Sequence, residues 1–159
     1  MLSGFFGSTG IYSTHSITDK MKKKAEYIMN FLDIKKLSER RMEIFSSGEV
    51  NRFLVARALV NEPEVLIFDE PTTNLDLKAG LKFLSYIRNI TQKGKTIIIV
   101  THDLHDIIPE INNVIFLKQG KIFKAGNKKE LLNSKNISKL FDIKLEVPEE
   151  NKYYYAFIN

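Results

Sequence analysis

The chain predicts an α/β fold built around a parallel sheet, and three observations carry that expectation. Two short apolar runs, Val65-Leu66-Ile67-Phe68 and Ile97-Ile98-Ile99-Val100, each end in polar residues able to do chemistry. Between them Leu77, Leu81, Leu84 and Ile87 recur at helical spacing, which places a helix between the two strands. Upstream, Ser46 and Glu49 stand three apart, ahead of Val50, Phe53, Leu54 and Leu59, the pattern of a capped helix.

Composition suits a globular chain. The sequence has 159 residues, 43% hydrophobic and 27% charged, enough for one domain-sized core. No apolar run approaches the roughly 18–20 residues needed to span a membrane, and no secretory signal precedes the first charges. With no cysteine, disulfides and cysteine metal sites are excluded. The net charge of +5, from 24 basic against 19 acidic residues, reads as a solvated lysine-rich surface, and no nucleic-acid partner is expected.

The elements follow in order. Residues 1–16 are rich in glycine and serine without a helical period, so they read as a loop or exposed end. Thr18 can cap a helix over residues 19–32, with Lys20 and Lys22-Lys23-Lys24 on its wet face and Ala25, Ile28, Met29 and Leu32 inside. Residues 33–45 are mixed and predict a short helical turn. The capped helix from Ser46 ends before Pro63. Residues 65–68, apolar throughout and bounded by Pro63 and Pro71, read as a strand buried on both faces. A helix from Asp76 to about Thr91 stops at Gly94, and residues 97–100 form the second buried strand. Residues 103–108 read as the start of a helix that Pro109 perturbs. Residues 114–117 and 122–126 read as two strands about a tight glycine turn, followed by a helix at 127–132. Residues 137–147 suit a short helix and strand, and residues 153–157 a final half-buried strand.

Chemistry gathers after the two apolar runs. Asp69 and Glu70 emerge at a strand's C-terminal edge, where parallel sheets place ligands. One acid can hold Mg²⁺, usually through its waters, while the next orients an attacking water. A buried strand with two solvated acids in the following turn has the same pattern. Thr101-His102-Asp103 ends the second run. The N-terminus of the capped helix at Ser46 exposes N–H groups that attract phosphate, although a plain capped helix looks no different.

In this order the blocks resemble the ATPase domain of ABC (ATP-binding cassette) proteins, over essentially the whole chain. Ser46-Ser47-Gly48-Glu49 is similar to the signature loop, usually Ser-Gly-Gly-Gln, with Arg52 and Ala56-Arg57-Ala58-Leu59 on the helix behind it. Residues 65–70 resemble the Walker B strand, Asn74 to Asp76 the D-loop, and His102 the switch histidine. Ser47 stands where the family usually has glycine and Phe45 where it has leucine. A serine still presents its N–H, but its Cβ restricts close approach.

The resemblance implies an incomplete P-loop NTPase fold: a parallel-sheet core, a helical signature subdomain and a C-terminal β-rich segment. It divides the chain into residues 1–59, the post-Q-loop segment and helical subdomain, and residues 60–159, the Walker B, D-loop and switch-histidine core. It implies Glu70 as the catalytic carboxylate, His102 on the γ-phosphate and Asp69 in the Mg²⁺ shell through water. Ser46, Ser47, Gly48 and Glu49 would touch ATP held by a partner subunit, and Asp76 would reach across the dimer interface. The implied cofactors are ATP and Mg²⁺. The implied partners are a second ABC ATPase subunit and transmembrane permease subunits, at the inner face of the cell membrane. Residues 2–12 resemble a segment of iron-chelate or molybdate-type import ATPases.

The phosphate-cradling pattern Gly-x-x-x-x-Gly-Lys-Ser/Thr is missing. Gly94-Lys95-Thr96 has Asn89 where the first glycine would stand, and it leads into a strand rather than out of one. In the family that loop and the Q-loop precede the signature helix, so the chain reads as the C-terminal portion of an ATPase domain. Two functions follow: an ATP-hydrolysing importer subunit whose isolated chain is inactive, or a non-catalytic fragment or pseudo-ATPase acting through a complete partner.

Overall fold

The computed structural model describes residues 1–7 and 16–158. The remainder of the opening loop, with Gly10 and His15, lies outside the described residues. The helices are α1 (Asp19–Phe31), α2 (Ser47–Leu59), α3 (Leu77–Gln92), α4 (Lys128–Leu131) and α5 (Ser134–Phe141). The strands are β1 (Val65–Asp69), β2 (Thr96–Val100), β3 (Asn113–Lys118), β4 (Lys121–Asn127), β5 (Leu145–Glu146), β6 (Glu149–Glu150), β7 (Tyr153–Tyr154) and β8 (Phe157–Ile158). They fall into two compact units. One holds residues 1–66 and 71–96, the other residues 67–70 and 97–159.

In the first unit the local signals act as read. Thr18 Oγ1 accepts the Met21 N–H at the start of α1. Asp76 Oδ1 accepts the Ala79 N–H at 2.8 Å to begin α3. Helix α3 ends where Gly94 takes a left-handed φ of 84°, a conformation that costs glycine nothing. Lys95 then donates to Glu62 O at 3.1 Å, so Gly94-Lys95-Thr96 is a helix-to-strand turn, as its position implied. Residues 33–45 carry two 3₁₀ turns, Lys35–Leu37 and Met42–Ile44. Leu32, Ile34, Val60, Ile87 and Ile90 are almost wholly buried.

The first few of the opening residues are not a free loop. Leu2–Phe6 forms a 3₁₀ turn with Ser3 and Gly4 buried. Asn61 Nδ2 donates to Gly4 O at 2.7 Å, and a Cβ on Gly4 would lie 2.4 Å from Arg57 O of α2. Only glycine permits that approach.

β1 and β2 pair with each other. The Thr96 N–H donates to Glu64 O at 2.9 Å and the Glu70 N–H to Val100 O at 2.8 Å. These bonds advance in the same direction along both strands, so the pair is parallel. Burial on both faces is corrected. Leu66 and Phe68 are buried while Val65 and Ile67 are exposed, and on β2 Ile98 and Val100 are exposed too. The described residues cover one face of this pair, and alternation then leaves every second aliphatic side chain outside.

In the second unit β3 and β4 form an antiparallel hairpin with Lys118 opposite Lys121. Gln119 and Gly120 between them both have positive φ, the two-residue turn that suits strand twist. Phe116, Leu132, Ile137 and Tyr154 form the buried core here. The expected helix at 103–108 is only a 3₁₀ turn, Leu104–Asp106. Pro109 disfavours helical backbone at Ile108, and Asp103 Oδ1 takes the His105 N–H at 2.9 Å. The expected strand at 153–157 is broken in two. Asn151 and Lys152, both at positive φ, turn the chain so that Tyr153 pairs with Glu150 and Tyr154 with Glu149. Phe157 and Ile158 pair instead with Glu146 and Leu145.

Candidate functional site

Glu70 and His102 meet in the second unit. β1 ends at Asp69, and Glu70 takes a left-handed φ of 48° as its N–H bonds Val100 O. A non-glycine residue there is uncommon and marks a backbone held by its surroundings. β2 ends at Val100, so His102 leaves the same edge two residues later. The His102 Nδ1 lies 2.8 Å from Glu70 Oε1 and 2.7 Å from Oε2. The Glu70 carboxylate, as hydrogen-bond partner and as neighbouring charge, raises the His102 pKa above its ordinary value. The imidazolium form is favoured, on a side chain that remains 75% exposed.

The turn bearing His102 is held by groups the motif reading passed over. Thr101 Oγ1 donates to Asp106 Oδ2 at 2.7 Å and accepts the Asp103 N–H at 3.0 Å. Asp106 is 2% exposed. An acid this deep is retained where donors satisfy it. The Thr-x-x-x-x-Asp spacing was visible in sequence, but nothing local says that the two side chains close on one another.

Asp69 is exposed beside Glu70. Among the described residues no cluster of three or more His, Cys, Asp or Glu could hold a metal ion. An exposed carboxylate such as that of Asp69 is able to anchor one water of a Mg²⁺ ion held chiefly by water and phosphate oxygens.

The residues expected to form the signature loop lie in the first unit. Ser46 and Glu49 make the full capping box. The Glu49 N–H donates to Ser46 Oγ at 3.4 Å, and the Ser46 N–H donates to Glu49 Oε2 at 3.0 Å. The Ser46 backbone N–H, the largest influence, holds the Glu49 carboxyl below its ordinary value. A carboxylate therefore sits at the helix end where an anion would dock. Arg52 braces the loop from behind, with Nε on Gly48 O at 3.1 Å and its guanidinium on Leu32 O and Asp33 O at 3.4 and 3.2 Å. Phe45 stacks edge-on against Phe53 at 6.0 Å. A Cβ on Gly48 would meet Ala79 and Leu75 at 3.5 and 3.8 Å, ordinary contact distances. The signature helix thus begins against the turn that Asp76 caps. Asn51 Nδ2 also donates to Pro71 O at 3.1 Å, tying α2 to the segment that follows Glu70.

The residues expected to act therefore fall into two constellations. Glu70 and His102, with Asp69 beside them, form one; Ser46 to Glu49 and Asp76 form the other, in a different unit.

Known proteins resemble this chain in sequence and in fold. Residues 3–73 match the family described as ABC transporter. The chain is 39% identical over 148 residues to YlmA of Bacillus subtilis, an uncharacterized ABC transporter ATP-binding protein, covering 92% of this chain and 55% of that protein. It is 34% identical to EcfA1 of Mycoplasmopsis synoviae, an energy-coupling factor transporter ATP-binding protein, covering 87% and 55%. An ABC transporter described as of metal-chelate type, in an inward-facing conformation, superposes with a TM-score of 0.81 over 98% of this chain and 62% of that one, at 23% identity. The cassette MJ0796, solved as a dimer bound to ADP and Pi, gives a TM-score of 0.62 at 26% identity, covering 78% and 52%.

The fold is that of an ABC ATPase, an α/β P-loop NTPase. The chain belongs to the ABC transporter ATP-binding family. It spans about 55% of the YlmA and EcfA1 sequences that it matches.

Proposed function

We propose that this chain supplies the hydrolytic carboxylate and the trans-acting signature loop of an ABC transporter ATPase, in an importer. The Glu70–His102 pair carries the reading: a carboxylate and an imidazole at adjoining strand ends, in direct contact. Glu70 would take the proton of the attacking water, a contribution of roughly 10²–10⁴-fold. In the present arrangement both Glu70 oxygens face His102 Nδ1. The base is released when the imidazolium turns to the γ-phosphate, whose charge it would meet. Bound Mg²⁺ would neutralise phosphate charge, with Asp69 holding one of its waters.

Ser46, Ser47, Gly48 and Glu49 would approach ATP on a second ATPase subunit, with Asp76 beside them. The dimeric solved relative with ADP and Pi supports that mode. Importer assembly with a permease, at the inner face of the membrane, draws on the energy-coupling factor relative and on the resemblance of residues 2–12. Among the described residues no helix is long and apolar enough to cross a membrane.

The sequence contains no Gly-x-x-x-x-Gly-Lys-Ser/Thr, so the phosphate cradle must come from outside these residues. The test is to join the chain to the phosphate-loop portion of its Bacillus subtilis relative. Phosphate release that Glu70→Gln abolishes supports the reading. A fusion that binds ATP and dimerises, yet hydrolyses equally well with and without the Glu70→Gln substitution, would refute it.

A further inference from the structure

The turn that follows His102 is held from a distant part of the same unit. Lys128, the first residue of α4, is 5% exposed, and its Nζ donates to Ile108 O and Pro109 O, each at 3.1 Å. Its ammonium lies 5.8 Å from the centre of the Tyr154 ring, a cation over an aromatic face. Tyr154 is 2% exposed and donates its hydroxyl to Glu149 Oε2 at 2.9 Å. The next residue, Tyr155, meets the His105 ring edge-on, with centroids 4.7 Å apart at 81°. β7 packs against the Leu104–Asp106 turn as a whole.

None of these groups belongs to the motif blocks. A lysine taken out of water persists where its donors are satisfied. Burial lowers the Lys128 pKa, and burial followed by the Glu149 hydrogen bond pushes Tyr154 up to about 12. Tyr154 therefore stays a neutral donor across the physiological range.

We propose that Lys128, Tyr154 and Tyr155 form a latch that positions the His102 turn and so sets the imidazole against Glu70. The Thr101–Asp106 bond holds the turn at its beginning, Tyr155 holds it at His105, and Lys128 holds the Ile108 and Pro109 carbonyls just beyond it. Lys128, Tyr154 and Tyr155 are positioning residues. The purpose of the latch rests on the hydrolytic reading of Glu70 and His102, but its existence does not.

The test uses the full chain and no nucleotide. Amide exchange is compared in wild type, Tyr155→Ala, Tyr155→Phe and Lys128→Met. The His102 ring resonances are followed at one fixed pH, assigned by their loss in His102→Gln. Tyr155→Ala should speed exchange over residues 103–108 about three- to tenfold, the scale of one lost aromatic pair. Residues 113–127 should keep their protection. The His102 resonances should move in the direction that Glu70→Gln moves them. Tyr155→Phe, which keeps the ring, should match wild type, and Lys128→Met should loosen residues 108–111 over the same range. Unmoved His102 resonances in Tyr155→Ala, or exchange that rises equally across 113–127, would overturn the latch. If Tyr155→Ala does not fold, unchanged exchange at 108–111 in Lys128→Met overturns it alone. Hydrolysis by the fusion described above that Glu70→Gln leaves unchanged, with the latch intact, would instead overturn the functional reading only.

Discussion

The imidazole Nδ1 of His102 stands within 2.8 Å of both carboxylate oxygens of Glu70, across 32 residues of sequence. Each residue follows the end of a strand in one parallel pair, so the backbone bonds between β1 and β2 determine their meeting.

Their contact predicts a pH signature. Glu70 raises the His102 pKa, so with Glu70 ionised the pair's stabilisation is complete below the ordinary histidine value of about 6.5. It is lost as pH rises through the raised folded value. A side-chain NMR titration should find His102 above its ordinary value and Glu70→Gln should lower it. An equal midpoint in the two proteins would contradict the pairing.

The isolated chain should release no phosphate from ATP. Its sequence has no Gly-x-x-x-x-Gly-Lys-Ser/Thr to cradle the β- and γ-phosphates, and binding energy at the phosphates positions the reaction. Turnover by purified chain that Glu70→Gln removes would show that a cradle exists in another form.

Cap and docking roles of the signature loop separate by mutation. Ser46→Ala should lower stability by about 0.5–2 kcal/mol, the cost of a lost N-cap. Gly48→Asp should leave stability nearly unchanged, because a Cβ fits there and an acid suits a helix's first turn. It should weaken ATP-dependent association with a complete partner, whereas Glu49→Gln, which keeps the box and removes the charge, should strengthen it. Calorimetry and sedimentation with ATP read the two effects. Association indifferent to both substitutions would leave only the cap.

Gly4→Ala should destabilise the first unit by roughly 1–3 kcal/mol, since the new Cβ would sit 2.4 Å from the Arg57 carbonyl. Backbone, unlike a side-chain end, has little room to yield. Thermal unfolding measures it, and an unchanged midpoint would mean that the opening turn is not held against α2.

The uncovered face of β1 and β2 should make the chain self-associate. Ile67, Ile98 and Val100 all lie exposed on it, an apolar patch of the kind that drives association. Sedimentation should show concentration-dependent species that Ile67→Lys with Ile98→Lys disperses. A monodisperse monomer of the unaltered chain would show that this face tolerates water.

By itself the sequence determined what is decided within a few residues. Thr18, Ser46 and Asp76 each cap a helix whose start they announce, because a cap bonds an N–H three residues on. Period and punctuation likewise gave β1, α3, β2 and the β3–β4 hairpin, and the order of the motif blocks gave the family. Tertiary structure alone decided the rest. Whether an aliphatic strand is covered on one face or two depends on a layer that the strand does not encode, so residues 65–68 and 97–100 misled. The tyrosine run broke because residues 151–152 turn it onto one partner strand and residues 157–158 find another. Nothing beside Asp106 or Lys128 in sequence marks either for burial; folding removed their water and supplied Thr101 and two carbonyls in its place. Burial is a property of the neighbours that a residue acquires, and those neighbours lie beyond any local pattern.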